Sequence, residues 1–251
     1  MNQTPDSTPE SDHQSTRGAI QRATDVRHMF DRIVPRYDLV NRIMTGWRDV
    51  TWRKMVAKQV VAVEAKQQIV LDVATGTGDL ALAIRKAGVK HVIGLDFSSA
   101  MITAAVRKIT SNDGSVTFLV GDGMHLPFES GAFDASTISF GLRNMANYEA
   151  AIREMTRVLR PGGRFVCLEM TPFGRPLLGP LFKVYFERIV PMVGGLLSGN
   201  LRAYRYLPRS VRAFPKAHDL AELMRKTGLE DVHYQLLGFG TVAIHSGSKP
   251  A

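Results

Sequence analysis

The stretch Leu71-Asp72-Val73-Ala74-Thr75-Gly76-Thr77-Gly78-Asp79-Leu80 decides how this chain folds. An apolar run, Ile69–Val73, reads as a strand and passes through glycines straight into a helical pattern over residues 79–87. Glycines at such a turn let the backbone adopt dihedrals closed to other residues and approach a bulky ligand closely. Strand, glycine turn and helix are the first half of a β-α-β unit.

The same alternation continues downstream. His91–Asp96 reads as a strand. Ser98 is placed to cap a helix whose Met101, Ile102, Ala105 and Ile109 share one face. Residues 116–121 and 132–139 read as strands, and 148–159 as a helix with Ala151, Ile152, Met155, Val158 and Leu159 inward. Pro161-Gly162-Gly163 turns the chain into a strand over 164–170. Helix Ala217–Lys226 stops at Gly228, and strands over 231–237 and 241–246 predict an antiparallel hairpin at one sheet edge. The expected fold is α/β and Rossmann-like: a mostly parallel seven-stranded sheet with helices on both faces.

Two segments stand outside this pattern. Residues 1–17 carry Pro, Ser, Thr and acids without an apolar core region, which predicts a disordered tail and not a signal peptide. The remaining 18–251 form one domain. Within it, 18–66 reads as a helical cap: Val26, Met29, Phe30 and Ile33 mark a helix ending before Pro35, and helices over 37–45 and 49–61 follow. Residues 171–215, rich in leucine and aromatics, read as an inserted lid.

The chain has 251 residues, 45% hydrophobic and 22% charged, enough for a real core. Its one cysteine, Cys167, lies in an apolar run and reads as a core residue; it excludes an intrachain disulfide and fits a reducing, cytoplasmic setting. No histidine pair has helical metal-ligand spacing and there is no CxxC, so no metal is expected. The net charge of +9 points to an anionic partner, nucleic acid or acidic lipid. No run of ~18 apolar residues is present to span a membrane.

Gly76-Thr77-Gly78-Asp79-Leu80-Ala81 also satisfies G-x-G-x-x-A, the dinucleotide fingerprint. A pyrophosphate at a helix N-terminus favours neutral or basic surroundings, yet Asp72 and Asp79 flank this loop. Carboxylates there suit a cofactor bearing a sulfonium and an ammonium group. Asp96 ends the second strand, about 20 residues on, where an acid accepts ribose hydroxyls. Asp122 ends the third, where it could take an adenine amino group. Acids at three successive strand ends favour S-adenosylmethionine over a nicotinamide.

The blocks LDVATGTGDL, VIGLDFSSAMI, GDGMHLPFESGAFDA and RVLRPGGRFV resemble, in the same order, those of the Class I S-adenosylmethionine methyltransferases. More narrowly, MFDRIVPRYDLVNRIMT, TISFGLRN, AYRYLPRSVRAFP and the ending VAIHSGSKP resemble the quinone C-methyltransferases of menaquinone and ubiquinone biosynthesis. The resemblance runs from about Val26 to Lys249. It implies that Gly76, Thr77 and Gly78 form the cofactor loop, with Asp96 at the ribose, Asp122-Gly123 at the adenine and Ser139 completing the contacts. Ala74, where general methyltransferases often have glycine, fits the narrower family. Asp49 stands where some members carry histidine, which brings the chain closer to menaquinone-type members. The implied reaction is C-methylation of a demethylmenaquinol, with the ubiquinone-pathway benzoquinol as the alternative.

Carbon methylation of a quinol calls for a base or anion stabiliser, because removing a phenolic proton raises ring nucleophilicity. Arg143 is the candidate phenolate stabiliser, and Tyr204, Tyr206 or His245 are candidate proton relays. A polyprenylated quinol has to be met at a bilayer surface. Between Met170 and His218 there are eight Lys/Arg and one acid, Glu187, among leucines and aromatics. That mixture suits peripheral docking on anionic headgroups better than nucleic acid, whose phosphates require no apolar contacts. A homo-oligomer is compatible with all of this.

Overall fold

In the computed structural model, residues 28–29, 31–63, 68–109, 115–172, 185–198 and 201–251 are described. The expected tail (1–17), Val26 and Phe30 of the first expected helix, and residues 173–184 lie outside them. After the helical residues 28–29 and 31, the described chain continues with helices α1 (Val34–Thr45) and α2 (Arg48–Val61). Then follow β1 (Ile69–Val73), α3 (Asp79–Lys86), β2 (His91–Asp96), α4 (Ser99–Val106), β3 (Val116–Val120) and β4 (Phe133–Ser139). Helix α5 (Tyr148–Arg157), β5 (Leu159–Met170), α6 (Val190–Ser198), α7 (Leu201–Ala213), α8 (Ala217–Lys226), β6 (Glu230–Leu237) and β7 (Val242–Ser248) complete it.

The strands form one seven-stranded sheet of order β3-β2-β1-β4-β5-β7-β6. The first five run parallel, and β7 is antiparallel to both β5 and β6. Leaving β1 the chain moves to β2 on one side, and later returns to β4 on the other. Such a reversal opens a crevice at the carboxyl ends of the two central strands.

Both faces of the sheet are covered, as parallel strands require. On one face Val70, Val92, Val166 and Leu168 pack against Val56 and Val60 of α2, Leu80 and Ile84 of α3, and Ala105 of α4. On the other, Leu71, Val73, Ile138, Phe165 and Cys167 meet Ile152 and Met155 of α5 and Leu220 and Met224 of α8. Cys167 is fully buried, and burial pushes its thiol up.

The first expected helix does end before Pro35: residues 28–29 and 31 are helical, 32–33 form a turn, and Pro35 lies in the first turn of α1, where its missing N–H is no loss. Two local expectations need correction. Helix α5 ends two residues early, because Leu159 already pairs with Phe133 of β4. The chain then loops out through Gly162 (φ 71°), and pairing resumes at Ala135 and Arg164, so the Pro-Gly-Gly turn interrupts β5 and does not precede it. The segment read as a lid contains a π-helical turn, Tyr185–Ile189, followed by α6 and α7. Met44 of α1 packs with Phe186, Val190 and Val211 of that segment, and Tyr204 of α7 packs with Ile33 and Val40.

Candidate active site

The glycine loop leaves β1 through residues held in left-handed backbone: Ala74 (φ 51°), Gly76 (φ 58°) and Gly78 (φ 80°). A Cβ on Gly78 would lie 2.5 Å from the Phe118 ring, so this glycine is required for packing of the loop against β3. The Thr75 amide bonds the Leu95 carbonyl at 3.0 Å, which ties the loop to β2. Asp96, at the end of β2, accepts the Gly76 amide at 2.8 Å and the Ser98 amide at 2.9 Å. Ser98 caps α4, its hydroxyl accepting the Met101 amide at 3.1 Å as its position in the sequence predicts.

A cleft opens at these strand ends. Gly76, Asp96, Asp122, Gly123 and Ser139 line it, five of the eight residues expected at a cofactor. Asp122 accepts the Met124 amide at 2.9 Å and holds His125 at the same distance, which fixes its carboxylate at the rim. The Ser139 hydroxyl and the Asn144 carboxamide oxygen are buried and have no hydrogen-bond partner among the described residues. A buried polar atom left this way is an invitation to a polar ligand.

The other three are placed differently. Asp72 is buried beneath the loop and accepts hydrogen bonds from Thr75 (2.6 Å) and Thr137 (2.8 Å). Burial pushes its carboxyl up to about 6, with the two threonines opposing. Thr77 turns its hydroxyl away from the cleft and donates it to Asp38 of α1 at 2.6 Å. Gly78 serves the packing just described. Asp79, expected beside the cofactor's positive charge, is engaged by Lys108 at 2.6 Å, with Arg42 and Arg53 beyond. Burial alone would raise its carboxyl; these cations override that and hold it below the usual range. Lys108 also bonds Asp38 at 2.6 Å. Thr77 and Asp79 of the loop region, together with Lys108 beyond α4, therefore bind the cap helix.

That cap contributes a residue which sequence reading missed. Tyr37 lines the cleft, and the Asp38 contacts beside it fix its position. Only a contact 39 positions distant in the chain reveals it, so no local signal could have found it.

Beyond β4, Phe140 (φ 56°), Gly141 and Asn144 form the far wall. Arg143 stands behind them. Its guanidinium donates to the Phe140 carbonyl (2.7 Å) and to Glu169 (2.6 Å), and its own amide donates to the second Glu169 oxygen (3.2 Å). Both side chains are buried, at 8% and 1% exposure, and Arg143 Nε has no partner among the described residues. Tyr206 of α7 lies within electrostatic reach of Arg143; burial raises its phenol, and Arg143 opposes the rise. Tyr204 is a packing residue in the α1–α7 contact.

His245 is not brought to the cleft. It sits between β7 and α8, 1% exposed, with Nε2 on the Ala217 carbonyl at 2.8 Å and its ring stacked on Tyr234. Burial lowers it to about 4, so it is a neutral structural histidine at ordinary pH. The reason is pleat parity: its neighbour in register is Cys167, on the α5–α8 face of the sheet.

Residues 18–249 match the model of the ubiE/COQ5 methyltransferase family. The chain belongs to that family. A demethylmenaquinone methyltransferase of Thermus thermophilus is 48% identical over 223 residues, covering 88% of this chain and all of that protein. Another from Deinococcus radiodurans is 43% identical, covering 89% of this chain and 92% of its own length. The solved structure of Haemonchus contortus phosphoethanolamine N-methyltransferase 2, in complex with S-adenosyl-L-methionine, shares the fold. It is 15% identical with a TM-score of 0.57, over 79% of this chain and 52% of that one. This family member uses S-adenosylmethionine as its methyl donor. The cleft fits that group: the carboxylates of Asp96 and Asp122 match hydroxyl and amino donors, and the orphaned Ser139 and Asn144 oxygens offer further polar contacts.

Proposed function

We propose that the chain transfers a methyl group to a ring carbon of a demethylmenaquinol, giving menaquinol. The observation that carries this reading is the agreement in name of relatives that match it almost end to end. The cleft supports it chemically: besides Asp96 and Asp122 its lining includes Tyr37, Met101, Met124, Phe140 and Met145, apolar surface suited to a flat aromatic ring.

S-adenosylmethionine supplies an electrophilic methyl on a sulfonium centre. Asp96 would hold its ribose and Asp122 its adenine, leaving the Phe140 wall for the quinol. Holding the ring carbon in line can supply ~7–11 kcal/mol of barrier reduction in well-oriented systems. Arg143, kept in place by Glu169, stabilises the negative charge that grows on the phenolic oxygen. Burial raises the phenol of Tyr37, which lines the cleft, so it keeps its proton at neutral pH and acts as a donor toward that oxygen rather than as a base. Tyr206, raised likewise, is not among the lining residues.

We further propose peripheral attachment to an anionic membrane through residues 171–215. Met192 (64%) and Leu196 (84%) of α6 are exposed, and Arg188, Arg205, Arg209 and Arg212 lie in the same segment. Among the described residues no helix is long and apolar enough to cross a membrane, so attachment would be at the surface.

The test is a labelled-methyl transfer assay against demethylmenaquinol and against the polyprenyl benzoquinol precursor of ubiquinone. Turnover of the first is expected. Turnover of the second alone would move the chain to the ubiquinone pathway, and turnover of neither would overturn the substrate.

A further inference from the structure

Trp47 and Phe239 are large aromatics in left-handed backbone (φ 61° and 60°), a conformation that bulky side chains rarely adopt. Both are turned out to solvent, at 56% and 68% exposure. A strained backbone is retained where the surrounding structure imposes it, and such positions cluster at functional sites. The two belong to one surface. Arg48, next to Trp47, stacks its guanidinium over the Phe239 ring at 5.5 Å, and Gly238 packs against Trp52. Leu39 and Ile43, both exposed, precede Trp47 at four-residue spacing, the first two on one face of α1.

The charge around them has one sign. Residues 34–61 carry Arg36, Arg48, Lys54 and Lys58, besides Arg42 and Arg53, which pair with Asp79 and Asp49. Their two acids are already engaged, Asp38 by Lys108 and Asp49 by Arg53. Exposed indole and phenyl rings interleaved with arginine match the headgroup layer of an anionic bilayer, where aromatic rings settle and cations meet phosphate. A soluble acidic protein would satisfy the arginines but leave four exposed apolar side chains unexplained.

The surface also adjoins the cleft. Trp52, under Gly238, stands 6.4 Å from Phe140 by ring centroids, and Phe140 is cleft wall. One layer of side chains therefore separates the exposed aromatics from the place proposed for the quinol.

We propose that Trp47 and Phe239 are bilayer anchors, a second attachment surface separate from residues 171–215, which seats the cleft against the membrane that holds the substrate. The proposal rests on the reading of a lipid-tailed quinol substrate.

The chain has two tryptophans, Trp47 and the buried Trp52, so its emission reports the anchor directly. Adding vesicles of phosphatidylcholine and phosphatidylglycerol to the full chain should shift emission to the blue, and brominated lipid should quench it. Trp47→Phe should abolish both signals while keeping flotation. The double change Trp47→Gly with Phe239→Gly should lower vesicle partitioning at least tenfold. Its melting temperature should hold or rise, since glycine relieves both positive φ values.

Unmoved Trp47 emission in a chain that floats, or undiminished flotation of the double variant, overturns the anchors. So does a dimer that this variant dissociates without any change in vesicle binding. Turnover of a tail-less, water-soluble demethylmenaquinol is measured in parallel. Its absence in the parent chain would sink the methyl-transfer reading, whereas turnover without Trp47 insertion would sink only the anchors.

Discussion

The Asp96 carboxylate accepts the Gly76 amide at 2.8 Å, so the end of β2 holds the glycine loop of β1 while facing the cleft. One side chain thus shapes the loop and presents an acceptor. Asp96→Ala should weaken S-adenosylhomocysteine binding by about 10- to 100-fold, the range for hydrogen bonds to a charged group at ~1.5–3 kcal/mol. Titration calorimetry reads the loss, and circular dichroism should show the fold intact. Unchanged affinity would remove Asp96 from the site.

Thr77 and Asp38 make a sharper case, because resemblance and geometry give Thr77 different work. If its hydroxyl acts only through Asp38, Thr77→Val and Asp38→Asn should each weaken cofactor binding severalfold. The double variant should be no worse than the poorer single one. Non-additivity of ~0.5–3 kcal/mol is the mark of directly coupled residues. Additive losses would return Thr77 to the cofactor.

The sequence made the sheet legible because each parallel strand is a short apolar run between turn residues, and Ser98 and Pro161–Gly163 are local signals that need no tertiary context. The direction in which the acids point was not legible. In a sheet covered on both faces the apolar pattern does not alternate, so nothing marks Asp72 as lying under the loop on Thr75 and Thr137. Asp79, Thr77 and Tyr37 depend on the docking of α1, which is a tertiary event. The place of His245 was hidden for a related reason: its chemistry suggests a relay, and only strand register puts it beside α8.

Asp72 should make the protein less stable as pH rises. Its folded value of about 6 lies above the unfolded 3.8, so the folded state binds the extra proton between them. Stability from this group is complete below ~4 and lost as pH passes 6, a loss of about 3 kcal/mol. Asp72→Asn, which can still meet both threonines, should therefore raise the melting temperature at pH 8 and have little effect near pH 4. A variant less stable at pH 8 would contradict this.

His245 acts in the opposite sense. Its folded value of about 4 lies below the unfolded 6.5, so its contribution is complete above 6.5 and lost as pH falls through 4. The two groups nearly offset one another between pH 4 and 6.5, and the parent's pH profile hides both. Denaturant unfolding of His245→Gln should show less acid destabilisation than the parent, with methyl transfer at pH 8 reduced less than about threefold. A collapse of turnover with the fold intact would restore His245 to the mechanism.

Arg143 and Glu169 are the pair whose loss should separate stability from chemistry. Removing one partner of a buried ion pair leaves an uncompensated charge and costs about 3–5 kcal/mol, whereas replacing both by apolar residues is often neutral. Glu169→Ala should accordingly destabilise the chain strongly, and Arg143→Met with Glu169→Leu should recover most of that loss. If Arg143 stabilises the phenolate, the double variant will fold, bind S-adenosylhomocysteine normally and still transfer methyl at least 100-fold more slowly, because a charge-stabilising donor is worth ~2.7–4 kcal/mol at such a site. Recovery of turnover together with stability would show that the pair only holds the Phe140 wall in place.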